Sequence, residues 1–371
     1  MKKNIIFFLP NFDYGGASKS ICNTIINLDK KKYNLYVCCL NECKYKRELK
    51  ASGVTVLEIK SKKTIFSIFK IKYELKKIIK KTKLITIFIS NINYANVISL
   101  IFLDSINNLK IITVDRTPLE ELNQSYCNPY LWLKNLIIKF LMKRFYNKAS
   151  FRIGNSKSLS QNLSKFTNSK FITIYPYTIK KIVNLRKKLN KKNKINIMWV
   201  GRFTKEKSFD TLVKAALLVK SKKIFFNIFG YDKFRDKYIK IVKELKIDKF
   251  FKFWGYIKNL KPHYKKNNLY ISTSVYEGFQ NSMVEAINYD LPIISSNSHG
   301  GIRDILNNGK YGTLFAIHDH KQLASLINNF IENQILFINK TKLAKINLEK
   351  FNFNSTNKKY EQIFDKIKIT S

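Results

Sequence analysis

Acid is scarce in this chain. Its 371 residues carry 25 aspartates and glutamates against 69 lysines and arginines, a formal net charge of +44. Arginine is scarce too: 61 of the basic residues are lysine and 8 are arginine. A surface built to read nucleic acid leans on the guanidinium fork, which matches phosphates and guanine edges bidentately. Lysines scattered among asparagine and isoleucine read instead as drift in an AT-rich genome. A basic nucleic-acid-binding protein is therefore the alternative that charge alone suggests, and no interleaved aromatic and arginine motif supports it. Attraction to anionic surfaces survives whatever the origin of the charge.

Long apolar runs are missing as well. No stretch of about eighteen uncharged apolar residues appears, so no transmembrane helix is expected. The best candidate, Leu131 to Tyr146, is interrupted by Lys134, Lys139, Lys143 and Arg144. The opening "MKKNIIFFLP" has an apolar part of only Ile5 to Leu9 and no small-residue cleavage site after it. It reads as a first buried strand rather than a signal peptide, which points to a cytoplasmic protein. The cysteines, Cys22, Cys38, Cys39, Cys43 and Cys127, form no CxxC pair and have no histidine nearby. Buried free thiols are expected, and no metal site.

What is present is a repeating pattern of short β-rich run, turn and helical stretch, which implies parallel strands joined by crossover helices. In the first half the strand candidates are "NIIFFLP", "LYVCCL", "LITIFIS", "KIITVD" and "SFRIGNS"; in the second, "INIMWVGR", "KIFFNIFG", "FKFWGY", "LYISTS" and "LPIISS". Between the halves lies the lysine-rich, aperiodic "LRKKLNKKNK". The economical division is a Rossmann-like domain over 1–184, a linker over 185–194, a second Rossmann-like domain over 195–350, and a last helix over 351–371 that packs back on the first domain.

Ligands of open α/β sheets collect outside the carboxyl ends of the strands, and the notable residues sit at such ends. Gly201 and Arg202 follow a strand in "WVGRFTKEKSFDTLVKA", and Lys207 precedes a helix. An arginine and a lysine on one loop suit a diphosphate, although a solvated loop is the bland reading. Gly15 and Gly16 precede a helix whose N-terminal amides suit an anion, or mark only a turn. In "YEGFQNSMVEA" two carboxylates, Glu277 and Glu285, stand eight positions apart around an uncharged stretch. Glu285, inside the helix, suits a ribose diol; Glu277, before it, suits a sugar hydroxyl or a developing positive charge.

These stretches together resemble the retaining glycosyltransferases of family 4. The resemblance rests on Glu277 and Glu285 in the "EGF…EA" form, the glycine pair Gly15–Gly16, "NSKSL" from Asn155 to Leu159, Arg202 with Lys207, and "GGIRDIL…GKYGTLF" from Gly300 to Phe315. It spans almost the whole chain. It implies the α/β GT-B fold, two Rossmann-like domains with parallel sheets facing across a cleft, the acceptor against the first domain and the nucleotide sugar against the second. It also implies that Glu285 binds the donor ribose and that Glu277, with the amides of Gly278 and Phe279, contacts the donor sugar. Arg202 and Lys207 would neutralise the leaving diphosphate, making metal and cofactor dispensable, and Gly15 and Gly16 would approach the donor. The form "EGFQN" is similar to that of members using UDP-linked N-acetylhexosamine. The implied acceptor is a lipid-linked or envelope glycan (lipopolysaccharide, capsule or similar), and a sugar-nucleotide epimerase of the same fold is the second enzyme reading.

Two departures matter. Ser208 replaces the glycine that usually follows the lysine, which is expected to weaken close helix packing. Where many members carry a histidine, the chain has Asp115 and Arg116. Arg116 either contacts the donor sugar or phosphate or forms a structural pair with Asp115.

Two further stretches bear on location. "TIFSIFKIKYELKKIIKK" places apolar residues at 65, 68, 71, 75, 78 and 79 with lysines opposite. It reads either as a helix lying on an anionic inner leaflet, with Ile68, Ile71, Leu75 and Ile78 inserted, or as an ordinary core-facing helix. "YLWLKNLIIKFLMKRFY" presents the same choice.

Overall fold

The computed structural model describes residues 2–61, 63–123, 128–184 and 194–368. The chain forms two compact units, Met1–Thr178 with Lys350–Ser371, and Ile179–Glu349. The expected linker falls, except for Lys194, outside the described residues.

In the first unit the chain runs β1 (Lys3–Phe8), α1 (Gly16–Ile26), β2 (Tyr33–Cys39), α2 (Lys46–Ala51), β3 (Thr55–Glu58), α3 (Thr64–Thr82), β4 (Thr86–Asn91), α4 (Asn93–Phe102), β5 (Leu109–Asp115), α5 (Pro129–Phe145), β6 (Phe151–Gly154), α6 (Lys157–Thr167) and β7 (Ile172–Thr173). The sheet order is β3-β2-β1-β4-β5-β6-β7, every pair parallel. Strands apolar on both faces demand cover on both. Ile5 and Phe7 of β1 join one core with Ile21 and Ile25 of α1, while Ile6 and Phe8 join the other with residues of α3, α4, α5 and α6.

The second unit runs β8 (Ile195–Val200), α7 (Phe209–Leu218), β9 (Ile224–Phe229), α8 (Arg235–Glu244), β10 (Phe251–Gly255), α9 (Lys261–Lys266), β11 (Leu269–Ser272), β12 (Tyr276–Glu277), α10 (Asn281–Asn288), β13 (Ile293–Ser296), β14 (His299–Gly300), α11 (Gly301–Leu306), β15 (Thr313–Phe315), α12 (His320–Glu332) and α13 (Gln334–Ile346). Its parallel sheet has the order β10-β9-β8-β11-β13-β15, with β12 and β14 forming a separate two-stranded pair. The last helix, α14 (Phe353–Lys366), belongs to the first unit. There the ring of Tyr360 meets Phe7 at 5.8 Å, that of Phe364 meets Tyr33 at 5.6 Å, and Lys3 Nζ donates to the carbonyls of Phe364 (2.5 Å) and Ile367 (2.9 Å).

In α3 the residues assigned to membrane insertion point the other way: Ile68, Ile71, Leu75 and Ile78 are buried in the core of the first unit. The 3.6-residue stripe records the sheet it covers, so insertion of that stripe is excluded. Cys22, Cys38, Cys39 and Cys43 are buried and free; Cys127 lies outside the described residues.

One buried acid marks the end of β5. Asp115 is 2% exposed, and Tyr146 donates to its Oδ1 at 2.9 Å. Burial pushes its carboxyl up to about 7, against the opposing hydrogen bonds of Tyr146 and Asn96. The folded chain thus holds this proton more tightly than the unfolded chain, whose aspartate titrates near 3.9. The resulting stabilisation is present below about pH 4 and is lost as pH rises through about 7, at up to about 1.4 kcal/mol per pH unit. Asp115→Asn should therefore gain in thermal stability relative to the parent as pH is raised from 5 to 8. A difference independent of pH would show that the carboxyl titrates normally.

Candidate functional site

β8 lies inside its sheet with β9 on one side and β11 on the other, so the strand order reverses between β8 and β11. That is where a crevice opens in a sheet of this kind. At the end of β8, Gly201 N–H donates to Phe229 O at 3.0 Å. Gly230, at φ +132°, lies so close that a Cβ on it would stand 1.9 Å from Gly201 O. The two loops therefore pass backbone against backbone, and Arg202 comes out at the rim, 66% exposed, its Nη2 3.1 Å from Glu206 Oε1. Thr204 Oγ1 donates to the same oxygen at 2.6 Å.

Lys207 is turned inward. Its Nζ forms an ion pair with Glu277 Oε1, and Ser274 Oγ donates to that oxygen at 2.8 Å. The two charged side chains are only 16% and 13% exposed. The Lys207 carbonyl is held as well: Thr273 Oγ1 donates to it at 2.7 Å and receives Trp199 Nε1–H at 3.1 Å. One chain of bonds thus runs from β8, through the residue after β11, to Lys207. Ser208 follows in the left-handed region at φ +45°, its Oγ 2.9 Å from Thr211 Oγ1 and 3.2 Å from His318 Nδ1. The reason for a glycine at this position is therefore backbone conformation rather than close helix packing.

Glu277 is carried by the β12–β14 pair, in register with Gly300. Gly300 sits at φ +98°, and a Cβ on it would stand 1.8 Å from Glu277 O. Gly301 N–H donates to Gly278 O at 3.1 Å. The "GGIRD" glycines are thus the floor on which "EGF" lies. Glu285 enters the second turn of α10, and Tyr264 donates to its Oε2 at 2.9 Å. Tyr264 is buried and stacks on Tyr289 at 5.6 Å, so the acceptor oxygen is met by a donor that cannot swing away. Between the carboxylates lies Tyr270 of β11, its hydroxyl bonded to Ser282 Oγ (2.8 Å) and Gln280 Nε2 (3.2 Å). Burial first, and then the charges of Glu277 and Glu285, push that phenol above its ordinary pKa.

The second unit thus carries Arg202 and Lys207 on the segment after β8, and Glu277, Gly278, Phe279 and Glu285 on the segment after β11. Gly15, Gly16 and Arg116 belong to the first unit. Gly15 and Gly16 are exposed at the start of α1, and a Cβ on Gly15 would touch nothing within 4 Å. Arg116 Nε donates to Asn91 Oδ1 at 2.8 Å, and Asn155 Nδ2 donates to Arg116 O at 3.2 Å. Asp115 instead bonds Tyr146, so the pair proposed for Asp115 with Arg116 gives way to two separate anchors. Ser156, in "NSKSL", caps α6 by accepting from Leu159 N at 3.2 Å. Among the described residues no group of three His, Cys, Asp or Glu is placed to hold a metal ion.

Sequence reasoning missed Glu206, Thr273, Ser274 and Tyr264. Glu206 carried a signal, an acid inside a lysine loop of an acid-poor chain; the others carried none. Because Gly300 has no room for a side chain, Gly300→Ala should force β12 and β14 apart and cost about 1–3 kcal/mol in strain alone. Calorimetric unfolding reads this, and an unchanged midpoint would show that the loop yields freely.

Residues 181–347 match the family described as glycosyl transferases group 1. Over 98% of this chain and 96% of the relative, the sequence is 22% identical to the N-acetylgalactosamine-N,N'-diacetylbacillosaminyl-diphospho-undecaprenol 4-alpha-N-acetylgalactosaminyltransferase of Campylobacter jejuni. It is 27% identical over 169 residues to the poly(ribitol-phosphate) alpha-N-acetylglucosaminyltransferase of Staphylococcus aureus, a match covering 45% of this chain and 34% of that protein. Two of the curated relatives are matched over only 37% and 34% of their own length. Among solved structures, HepE of Anabaena in complex with UDP-glucose superposes with a TM-score of 0.78 at 18% identity, covering 98% of this chain and 100% of that one. Residues 181–347 of this chain are therefore similar to the glycosyl transferases group 1 family, and its two parallel-sheet units have the GT-B fold.

Proposed function

We propose that this chain is a retaining glycosyltransferase that moves a hexose or N-acetylhexosamine from a UDP-linked donor to a lipid-linked or envelope glycan. The observation that carries the reading is the inward-turned Lys207, paired with Glu277 beside Arg202 at the reversal of strand order. Before donor arrives the two charges neutralise each other in a half-dry site. A diphosphate takes Lys207 and Arg202 as its counter-charges, and Glu277 is released toward the sugar. As the bond from the anomeric carbon to the diphosphate oxygen breaks, its electron pair leaves with the diphosphate, where the two cations stabilise it. The acceptor hydroxyl oxygen bonds the same face of the oxocarbenium-like carbon, and its proton departs with the diphosphate. Glu285, held by Tyr264, accepts from the ribose diol. No step calls on a metal ion, because side-chain cations supply the positive charge. The activities of the Campylobacter and Staphylococcus relatives support an N-acetylhexosamine and a lipid-linked or cell-envelope acceptor, and the UDP-glucose in HepE supports a UDP donor. The reaction belongs on the cytoplasmic side, where nucleotide sugars are available.

Glu285→Ala should lose most donor affinity, since hydrogen bonds to a charged group are worth about 1.5–3 kcal/mol each. Tyr264→Phe, which keeps the packing, should weaken donor binding several-fold, and calorimetry with UDP-sugars reads both. Donor affinity unchanged in Glu285→Ala would remove that residue from the site. Lys207→Ala should depress turnover by about 100-fold or more. Turnover should survive EDTA, and its loss on chelation with recovery on adding Mg²⁺ or Mn²⁺ would replace the side-chain mechanism by a metal-assisted one.

A further inference from the structure

Helix α5 is apolar without being buried. Asn128 caps it by accepting from Leu131 N at 3.2 Å, and Pro129 opens its first turn, so the start is well specified. Yet only Ile138 and Met142 are buried. Tyr130, Trp132, Leu133, Leu136, Ile137 and Phe140 are each between 45% and 73% exposed. At 3.6 residues per turn they lie on the side of the helix away from Ile138 and Met142, and its first two turns stand clear of the core. Helix α3 adds a second row: beside its buried stripe, Ile65, Phe66, Phe69 and Tyr73 are between 50% and 69% exposed. Both helices flank α4. Phe69 packs edge-on against Phe102 at 5.9 Å, and Lys134 Nζ stands 5.7 Å over the ring of Tyr94. All three helices bury their inner sides in the same core. The exposed rows therefore form one outer apolar face of the first unit.

We propose that this face docks on an anionic lipid surface, with the N-terminal half of α5 and the exposed row of α3 entering the headgroup layer. The charge argues for lipid over a second copy of the chain. Helix α3 carries six lysines and α5 three lysines and Arg144, against a single carboxylate, Glu74. Two such faces would bring like charges together with almost nothing to pair them, whereas anionic headgroups complement every one. The side chains suit the depth as well: tryptophan and tyrosine rest at the interface, and lysine stems bury their methylenes while the ammonium stays wet. Among the described residues no helix is long and apolar enough to cross a membrane, so the contact is lateral. The inserted residues are thus not those of the buried α3 stripe but their exposed neighbours and those of α5.

The inference is independent of the catalytic reading, and its test uses no donor. The full chain is sedimented with vesicles of phosphatidylcholine alone and with an equal mixture of phosphatidylcholine and phosphatidylglycerol. Binding is expected to the mixture only, and to fall as salt is raised, since charges are screened beyond about 8 Å at physiological ionic strength. Trp132 is the exposed reporter on this face. Emission should shift to the blue on binding, and the shift should vanish in Trp132→Phe while sedimentation persists. The combination Trp132→Ser, Leu133→Ser, Leu136→Ser and Phe140→Ser should lower vesicle binding at least about tenfold with its unfolding midpoint retained, as these residues cover no core. Parental binding by that variant would show that charge alone holds the chain and would sink the docking face. So would a parent that ignores anionic vesicles but sediments as a dimer that the variant abolishes.

Discussion

Lys207 and Glu277 meet with most of their surface out of water. Burying either charge alone costs several kcal/mol, and their attraction offsets that only where the remaining hydrogen bonds are made. Here Ser274 adds a donor to the shared oxygen, and Thr273 and Trp199 hold the lysine's backbone. Much of the second unit follows from keeping that pair in place. The β12–β14 ladder exists over two residues only, and it needs Gly300 to come within contact of Glu277 O. The Gly201–Gly230 approach likewise leaves no room for side chains between the ends of β8 and β9. A pair of this kind satisfies both of its charges without a ligand.

The first unit uses buried polar anchors without an ion pair between Asp115 and Arg116. Asp115, deprived of water, holds its proton more tightly than a solvated aspartate, and it accepts from Tyr146. Arg116, the next residue, is bound to Asn91, and Asn91 Nδ2 in turn reaches Phe8 O at 3.0 Å. The ends of β1, β4 and β5 are thereby laced together by polar side chains, at the edge where Gly15 and Gly16 begin α1. Gly15 carries no internal steric demand, in contrast to Gly230 and Gly300.

The lysine excess takes different values in different places. Most of it is solvated surface, contributing little to stability at any one position. At Lys207 one lysine is turned inward onto Glu277, and on α3 and α5 several border an apolar face. Composition cannot separate these cases, because the same side chain serves in all three.

The strands were legible because parallel sheets need residues apolar on both faces, and "NIIFFLP", "LYVCCL" and "INIMWVGR" became β1, β2 and β8. The short β3, β7 and β15, and the two-residue β12 and β14, were not, since so few residues carry no period. The glutamate spacing, the glycine pairs and the strand-end Arg202 and Lys207 were also visible, because turns and charges at strand ends are local features. What the sequence by itself determined is the alternation of strand and helix and the loops on which chemistry could stand. Only the tertiary structure decided that Lys207 pairs with Glu277, that Tyr264 fixes Glu285, that Asp115 and Arg116 part, and that the apolar stripe of α3 faces the core while α5 is left uncovered. Each of these depends on which residues distant in the chain come to share a boundary with water. A local pattern records that a side chain is apolar or charged; burial and partner are properties of the packed surface opposite it.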